Sequence, residues 1–305
     1  MLSDRIISTV KFFDLQDYPL TAFEVWRYLI SELSGLKEQL DENFELEGGA
    51  SEFKTVPVHF DTVLGQLDAL VESGVLVEVN GFYTFPKRKS SIGTRLVNYR
   101  YGIPRERKIN RFLSLTKHLP FVRGISLAGS QAMGLQRATS DIDLLIITDP
   151  RFMWLGRTFL TIYFQLLGLR RHGKKIANRF CLNHYIAQPR EVDAEKNLYK
   201  AMEYSKLRAV VYPQITKQFQ IANESWIKMF FPNISFDNPV QEAPSFLQKT
   251  VERLLDHRLG LWLENQLGKW QLKRIKQDKY IFVKDDELSF HPESKHEALL
   301  KGFFG

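Results

Sequence analysis

The chain has 305 residues, 44% of them hydrophobic and 25% charged, with a net charge of +7. These proportions predict a soluble globular protein with a full core, divided into two or three domains. A single cysteine, Cys181, excludes an internal disulfide framework and fits a reducing compartment.

The charge is unevenly spread. Residues 1–86 hold five Lys and Arg against fifteen Asp and Glu, a balance of −10, which leaves +17 for the remainder. The opening MLSDRIIST lacks the basic-then-apolar pattern of an export signal, so a cytoplasmic protein is expected.

Leu2 to Phe13 reads as a first helix, with Ile6, Ile7, Val10 and Phe13 at helical spacing. Tyr18-Pro19-Leu20 breaks it. Thr21 then caps a second helix, Ala22 to Leu33, with Glu24 completing a capping box. Gly35 to Val56 is acidic and interrupted by glycine, as in a partly helical or mobile insertion. A third helix runs from His59 to Ser73, and Asn80-Gly81 between two apolar stretches predicts a hairpin.

Three helices followed by a hairpin follow the winged-helix plan, assigned to residues 1–90. Such modules commonly bind DNA, but His59 to Ser73 carries Asp61, Asp68 and Glu72 and no Lys or Arg. Phosphates dominate nucleic-acid affinity, so this acidic helix argues against duplex DNA and for a docking or substrate-presenting role. Only the segment after the wing, Lys87-Arg88-Lys89, could touch phosphates.

Ser90 to Pro104 is read as a bridge, and Arg105 to His118 as a helix that starts with Arg105, Arg107, Lys108 and Arg111. Basic residues at a helix start oppose the macrodipole, so compensation from outside is expected. Phosphate or the carboxylates of the N-terminal module would each provide it. Phe152 to Leu169 is long enough to cross a bilayer, but it contains Arg157, Gln165 and Gly156 and reads as a buried helix, so no membrane is expected. A basic loop, Arg170 to Lys175, leads to a strand from Phe180 to Ala187. Further helices are expected over Ala194 to Val211 and Ser245 to Lys276.

The chemistry concentrates in ISLAGSQAMGLQRATSDIDLLIITD, from Ile125 to Asp149. An apolar strand enters Gly129-Ser130, and a second strand opens with Asp141-Ile142-Asp143. Residues two apart in a strand face the same side, so the two carboxylates project together, a costly pairing without a cation between them. The Gly-Ser turn offers N–H groups and a hydroxyl to phosphate oxygens.

This order resembles the polymerase-beta-type nucleotidyltransferase superfamily, whose mark is Gly-Ser followed about ten residues later by Asp-x-Asp. Gly129, Ser130, Asp141 and Asp143 match it. The resemblance is tight over 120–150 and loose over 90–215. It implies a mixed-sheet α/β (α+β) fold over residues 91–192, and the helical patterns after it predict a helical C-terminal region at 193–305. It further implies transfer of a nucleoside monophosphate, here AMP from ATP, to a hydroxyl on a small molecule, protein or RNA. Asp141 and Asp143 would hold Mg2+ or Mn2+, Gly129 would give the close backbone approach, and Ser130 would contact the β- or γ-phosphate. Arg137 either assists the triphosphate or lies on the surface.

The family adds a third carboxylate on a later strand, whereas Phe180 to Ala187 contains none. Cys181, Asn183 and Tyr185 should share a face, which makes Asn183 the expected occupant and turns His184 away. Asparagine offers a carbonyl oxygen but cannot act as a base. Glu191, Asp193 and Glu203 remain as carboxylates that a later loop or helix could bring in. A degenerate nucleotide-binding regulator is therefore the alternative reading, ahead of a winged-helix DNA-binding regulator.

Overall fold

A computed structural model describes every residue except 33–55, 194–195, 239–240, 276–280, 285, 291–293 and 305. The acidic insertion expected at Gly35 to Val56 falls almost wholly outside the described residues.

The N-terminal part contains α1 (Leu2–Asp14), β1 (Leu20–Thr21), α2 (Ala22–Arg27), α3 (Phe60–Glu72), β2 (Val77–Val79) and β3 (Phe82–Thr84). The strands form an antiparallel sheet in the order β1-β3-β2. Asn80 and Gly81 turn the hairpin with φ of +54° and +79°, the left-handed pair that a two-residue turn of this kind requires. The capping box is present at Thr21 and Glu24. However, α2 ends at Arg27 and not at the expected Leu33. Tertiary bonds capture the chain there: Ile30 N donates to Thr9 Oγ1 at 3.0 Å, and Ser31 N to the Phe230 carbonyl at 3.0 Å.

Next come α4 (Ser90–Leu113), β4 (Val122–Leu127), α5 (Gly129–Met133), β5 (Ile142–Thr148), α6 (Met153–Leu166) and β6 (Phe180–Ala187). The remainder is α7 (Leu198–Ser205), β7 (Arg208–Val211), α8 (Pro213–Ala222), α9 (Glu224–Phe230), α10 (Phe246–Leu255), α11 (Arg258–Arg274), β8 (Phe282–Val283), β9 (Glu287–Ser289) and α12 (Ser294–Phe304). A six-stranded mixed sheet runs β7-β4-β5-β6-β9-β8, with β5 and β6 parallel and the other pairs antiparallel. It draws strands from both sides of residue 192. No helix among the described residues is long and apolar enough to cross a membrane.

Three expected elements are redrawn. The helix expected to start at Arg105 lies inside α4, which continues through Pro104. Gln136 Nε2 donates to the Asn98 carbonyl at 3.0 Å, which ties this helix to the loop after α5. The basic residues are therefore not at a helix start, and the macrodipole argument lapses. The stretch expected as a helix to Val211 ends at Ser205, and Arg208–Val211 becomes an edge strand, as its β-branched pair and the following Pro213 favour. The long C-terminal helix is broken at Asp256-His257. A Cβ at Gly260 would stand 1.7 Å from the Leu255 carbonyl oxygen, so only glycine permits that tight reversal.

Ile6, Val10, Phe13, Val25 and Leu67 share one continuous buried cluster with Ala201, Met202, Phe219, Trp226 and Phe231. The N-terminal part is thus fused to α7–α9. The other face of the large sheet packs Ile142, Leu144, Ile146 and Tyr185 against Leu160 and Phe164 of α6.

Candidate active site

At the mouth of β4, β5 and β6 lies a cleft of about 630 Å³, lined by Gly129, Ser130, Arg137, Asp141, Asp143 and Asn183 among others. All six residues singled out from the sequence therefore meet in one cavity. Strand alternation explains the floor: Ile142 is buried in the core, and Asp143 and its neighbour Asp141 turn to the opening.

Gly129 is required twice over. Its φ is +55°, and a Cβ there would meet Asp143 Oδ2 at 2.7 Å. The turn therefore lies directly against the carboxylate. Ser130 follows on the short helix α5. Ser140 Oγ accepts from Arg137 N at 3.0 Å and shapes the loop before Asp141. Buried Arg105 donates to the carbonyls of Arg137, Ala138 and Ser140 at 2.6, 3.1 and 3.1 Å. This arginine thus fastens the loop before Asp141 instead of meeting a carboxylate of the N-terminal module.

Asp143 and Cys181 are register partners on the parallel strands. Beyond them β6 carries one extra residue, since Leu145 pairs with His184. This bulge corrects the expected alternation. Asn183 does face the cleft, where its Nδ2 donates to Asp143 Oδ1 at 2.9 Å. Tyr185, expected beside it, packs in the opposite core. The same bulge turns His184 to the face of Asp143 and Leu145, contrary to the expected alternation; it is buried there with Nε2 3.2 Å from Glu287 Oε1.

Ligand atoms of Asp141, Asp143 and Cys181 lie within 4.8 Å of one another. Two hard carboxylates and one thiol form a donor set that fits a divalent cation, with oxygen donors in the majority. Burial, then the charges of Asp141 and Glu203, push Asp143 up to about 7. The pocket thus holds more negative charge than its own cations offset. Burial and Asp143 push the Cys181 thiol up to about 12.

Several lining residues carry no sequence motif. Glu203 and Tyr199 arrive from α7, and Lys200 Nζ donates to Glu203 Oε2 at 2.8 Å. Of the three later carboxylates, Glu203 is the one at the cleft; Glu191 pairs with Lys196 and Asp193 with Arg190. Arg171 comes from the basic loop. Gln16 and Asp17 come from the end of α1, and Asn98 from α4. Asp17 has a φ of +56°, bonds Arg88 at 2.6 Å and lies 3.5 Å from Arg137. An acidic residue at the Pro-containing break after α1 was the only available hint of this wall.

Comparison with known sequences adds one match. A family model described as nucleotidyltransferase domain matches residues 106–283, more than half of the chain. No curated protein and no solved structure matches it.

Proposed function

The chain belongs to the nucleotidyltransferase domain family, and from that premise we propose that it moves AMP from ATP to a hydroxyl acceptor in the cleft between β4–β6 and α7. The observation that carries this reading is the convergence of Gly129, Ser130, Asp141 and Asp143 on one cavity of nucleotide size.

Asp141 and Asp143 would hold Mg2+ or Mn2+, with the Asn183 amide fixing the orientation of Asp143. Bound divalent ions would neutralise the triphosphate and the charge that develops on it during in-line transfer. Gly129 lets the triphosphate approach the turn, Ser130 contacts its β- or γ-phosphate, and Arg137 stands at the rim. The acceptor oxygen attacks the α-phosphorus, the bond to the β-phosphate oxygen breaks, and pyrophosphate leaves with the electron pair. Glu203 is the carboxylate that takes the acceptor's proton. Asn183 cannot do so.

Residues 1–90 we read as a winged-helix-like module that serves the cleft and not duplex DNA. Gln16 and Asp17 line the cavity, and the module shares a buried core with α7. Acceptor selection is assigned to that wall.

The test uses α-labelled ATP and magnesium with the full chain. Label transfer to an acceptor, or pyrophosphate release, should fall more than about a thousandfold in Asp143→Ala. Activity that survives Asp141→Ala combined with Asp143→Ala overturns the reading. Magnesium-dependent binding of a non-hydrolysable ATP analogue with no turnover favours a nucleotide-binding regulator, for which Cys181 and Asn183 in place of an acid on β6 are the supporting observation.

A further inference from the structure

The basic turn between α6 and β6 is firmly attached to the sheet. Arg171 N donates to the Phe180 carbonyl and Phe180 N to the Leu169 carbonyl, both at 2.9 Å. A bridge between His172 and Lys175 closes the turn around Gly173, whose φ is +50°. This backbone aims the Arg171 side chain into the cleft. Its Nη1 donates to Asp141 Oδ2 at 2.6 Å and lies 3.4 Å from Cys181 Sγ. Asp141, the carboxylate of the two and the shorter contact, is the anion this bond neutralises.

Arg171 therefore engages two of the three residues whose donor atoms could surround a cation. A guanidinium this close to Asp141 Oδ2 occupies one side of the carboxylate and repels a second cation placed beside it. The two cations compete for one carboxylate. The pair is also easily broken, because the Arg171 side chain is 41% exposed, and exposed ion pairs change equilibria by about fivefold at most. Its anchored backbone prevents it from leaving the site when the bond opens. A displaced guanidinium retains a planar fork of donors suited to phosphate oxygens.

We propose that Arg171 is an exchangeable counter-ion: it neutralises Asp141 in the resting cleft, gives way to the divalent cation, and then binds the terminal phosphates of the nucleoside triphosphate. This rests on reading the cleft as a triphosphate site. It makes Arg171 a nucleotide-binding residue whose two partners are used in succession. It also explains why a basic turn is fastened so rigidly beside two carboxylates.

The test separates the two roles by their opposite signs. Mn2+ binding to the metal-free full chain is followed by electron paramagnetic resonance, without nucleotide, for wild type, Arg171→Gln and Asp143→Ala. Arg171→Gln should bind Mn2+ about threefold to fivefold more tightly. The same variant should bind a fluorescent non-hydrolysable ATP analogue, in saturating Mg2+, roughly tenfold more weakly, with Arg171→Lys recovering part of the loss. A purely structural arginine gives the reverse: weaker or unchanged Mn2+ binding, which overturns the exchange. Unchanged analogue binding overturns the phosphate role. Wild-type binding that Asp143→Ala abolishes keeps the cleft reading intact in either case. If wild type binds neither probe, the reading of the cleft fails, and the inference with it.

Discussion

Two carboxylates screened from solvent, Glu24 and Asp143, have opposite environments. Glu24 lies where the N-terminal module meets α4 and α7. Burial opposes its ionisation, but the hydrogen bonds and charge of Arg95, together with Lys206, hold it at about 2. Arg95 Nη1 and Nη2 reach its two oxygens at 2.9 and 2.8 Å. Asp143 has Asp141 and Glu203 near it, and burial with those charges lifts it to about 7. One carboxylate is matched by cations within the chain, and the other lies buried among like charges. That contrast separates a joint from a site.

The largest expected effect tests the joint. Glu24→Gln leaves Arg95, 3% exposed, and the buried Lys206 without their anion. Removing one partner of a buried pair should cost roughly 4 kcal/mol, read as a lower urea midpoint. A loss under about 1 kcal/mol would mean that the joint is no better matched than a surface pair, and the contrast would dissolve.

Asp143→Asn should act in the other direction. A carboxyl raised to about 7 in the fold ionises near 4 when unfolded, so the folded state binds the extra proton between those values. Its burden on stability is therefore absent below pH 4, grows as pH rises, and is complete above pH 7. Metal-free Asp143→Asn should match wild type at pH 4 and exceed it by roughly 3 kcal/mol at pH 8, while losing transfer activity. Equal stability at both pH values would place Asp143 among the satisfied carboxylates.

Lys206 sharpens the same comparison at a smaller scale. Burial lowers it to about 7, with Glu24 resisting. Its Nζ also lies 4.4 and 4.3 Å from the ring centres of Tyr18 and Tyr28, and these favour the cation. An amine depressed in the fold penalises stability fully below pH 7, and the penalty is relieved as pH climbs towards 10.5. Relative to Lys206→Met, wild type should gain roughly 2 kcal/mol between pH 7 and pH 10. A flat difference would show that the rings and Glu24 hold the charge outright.

The floor of the site was legible because its constraints are local. Asp-x-Asp on a strand and Gly-Ser at a turn follow from alternation and backbone conformation, and Asn80-Gly81 and the Thr21–Glu24 capping box belong to the same class. The walls were not legible. Glu203 and Tyr199 lie on one helix, Arg171 on a loop and Gln16 and Asp17 after the first helix, brought together only by the tertiary fold. The bulge in β6 is equally hidden, since no residue type marks the extra position that moves Tyr185 to the opposite core. Pro104 misled in another way, since α4 continues through it although local rules would end the helix there.

The smallest effect decides whether the satisfied region also reaches into the site. Asp17 belongs to the N-terminal module, yet it lines the cleft, holds a left-handed backbone and lies 3.5 Å from Arg137. Both side chains are well exposed, so the pair changes equilibria by a few-fold at most. Asp17→Asn should raise the KM for ATP about threefold through a less ordered Arg137, with an unchanged melting temperature. Asp68→Asn, on α3 away from the cavity, should leave both unchanged. A KM shift confined to Asp17→Asn ties the module to nucleotide handling. If Asp17→Asn lowers stability without moving KM, the module is a support for α7 and the wall it presents has no part in binding.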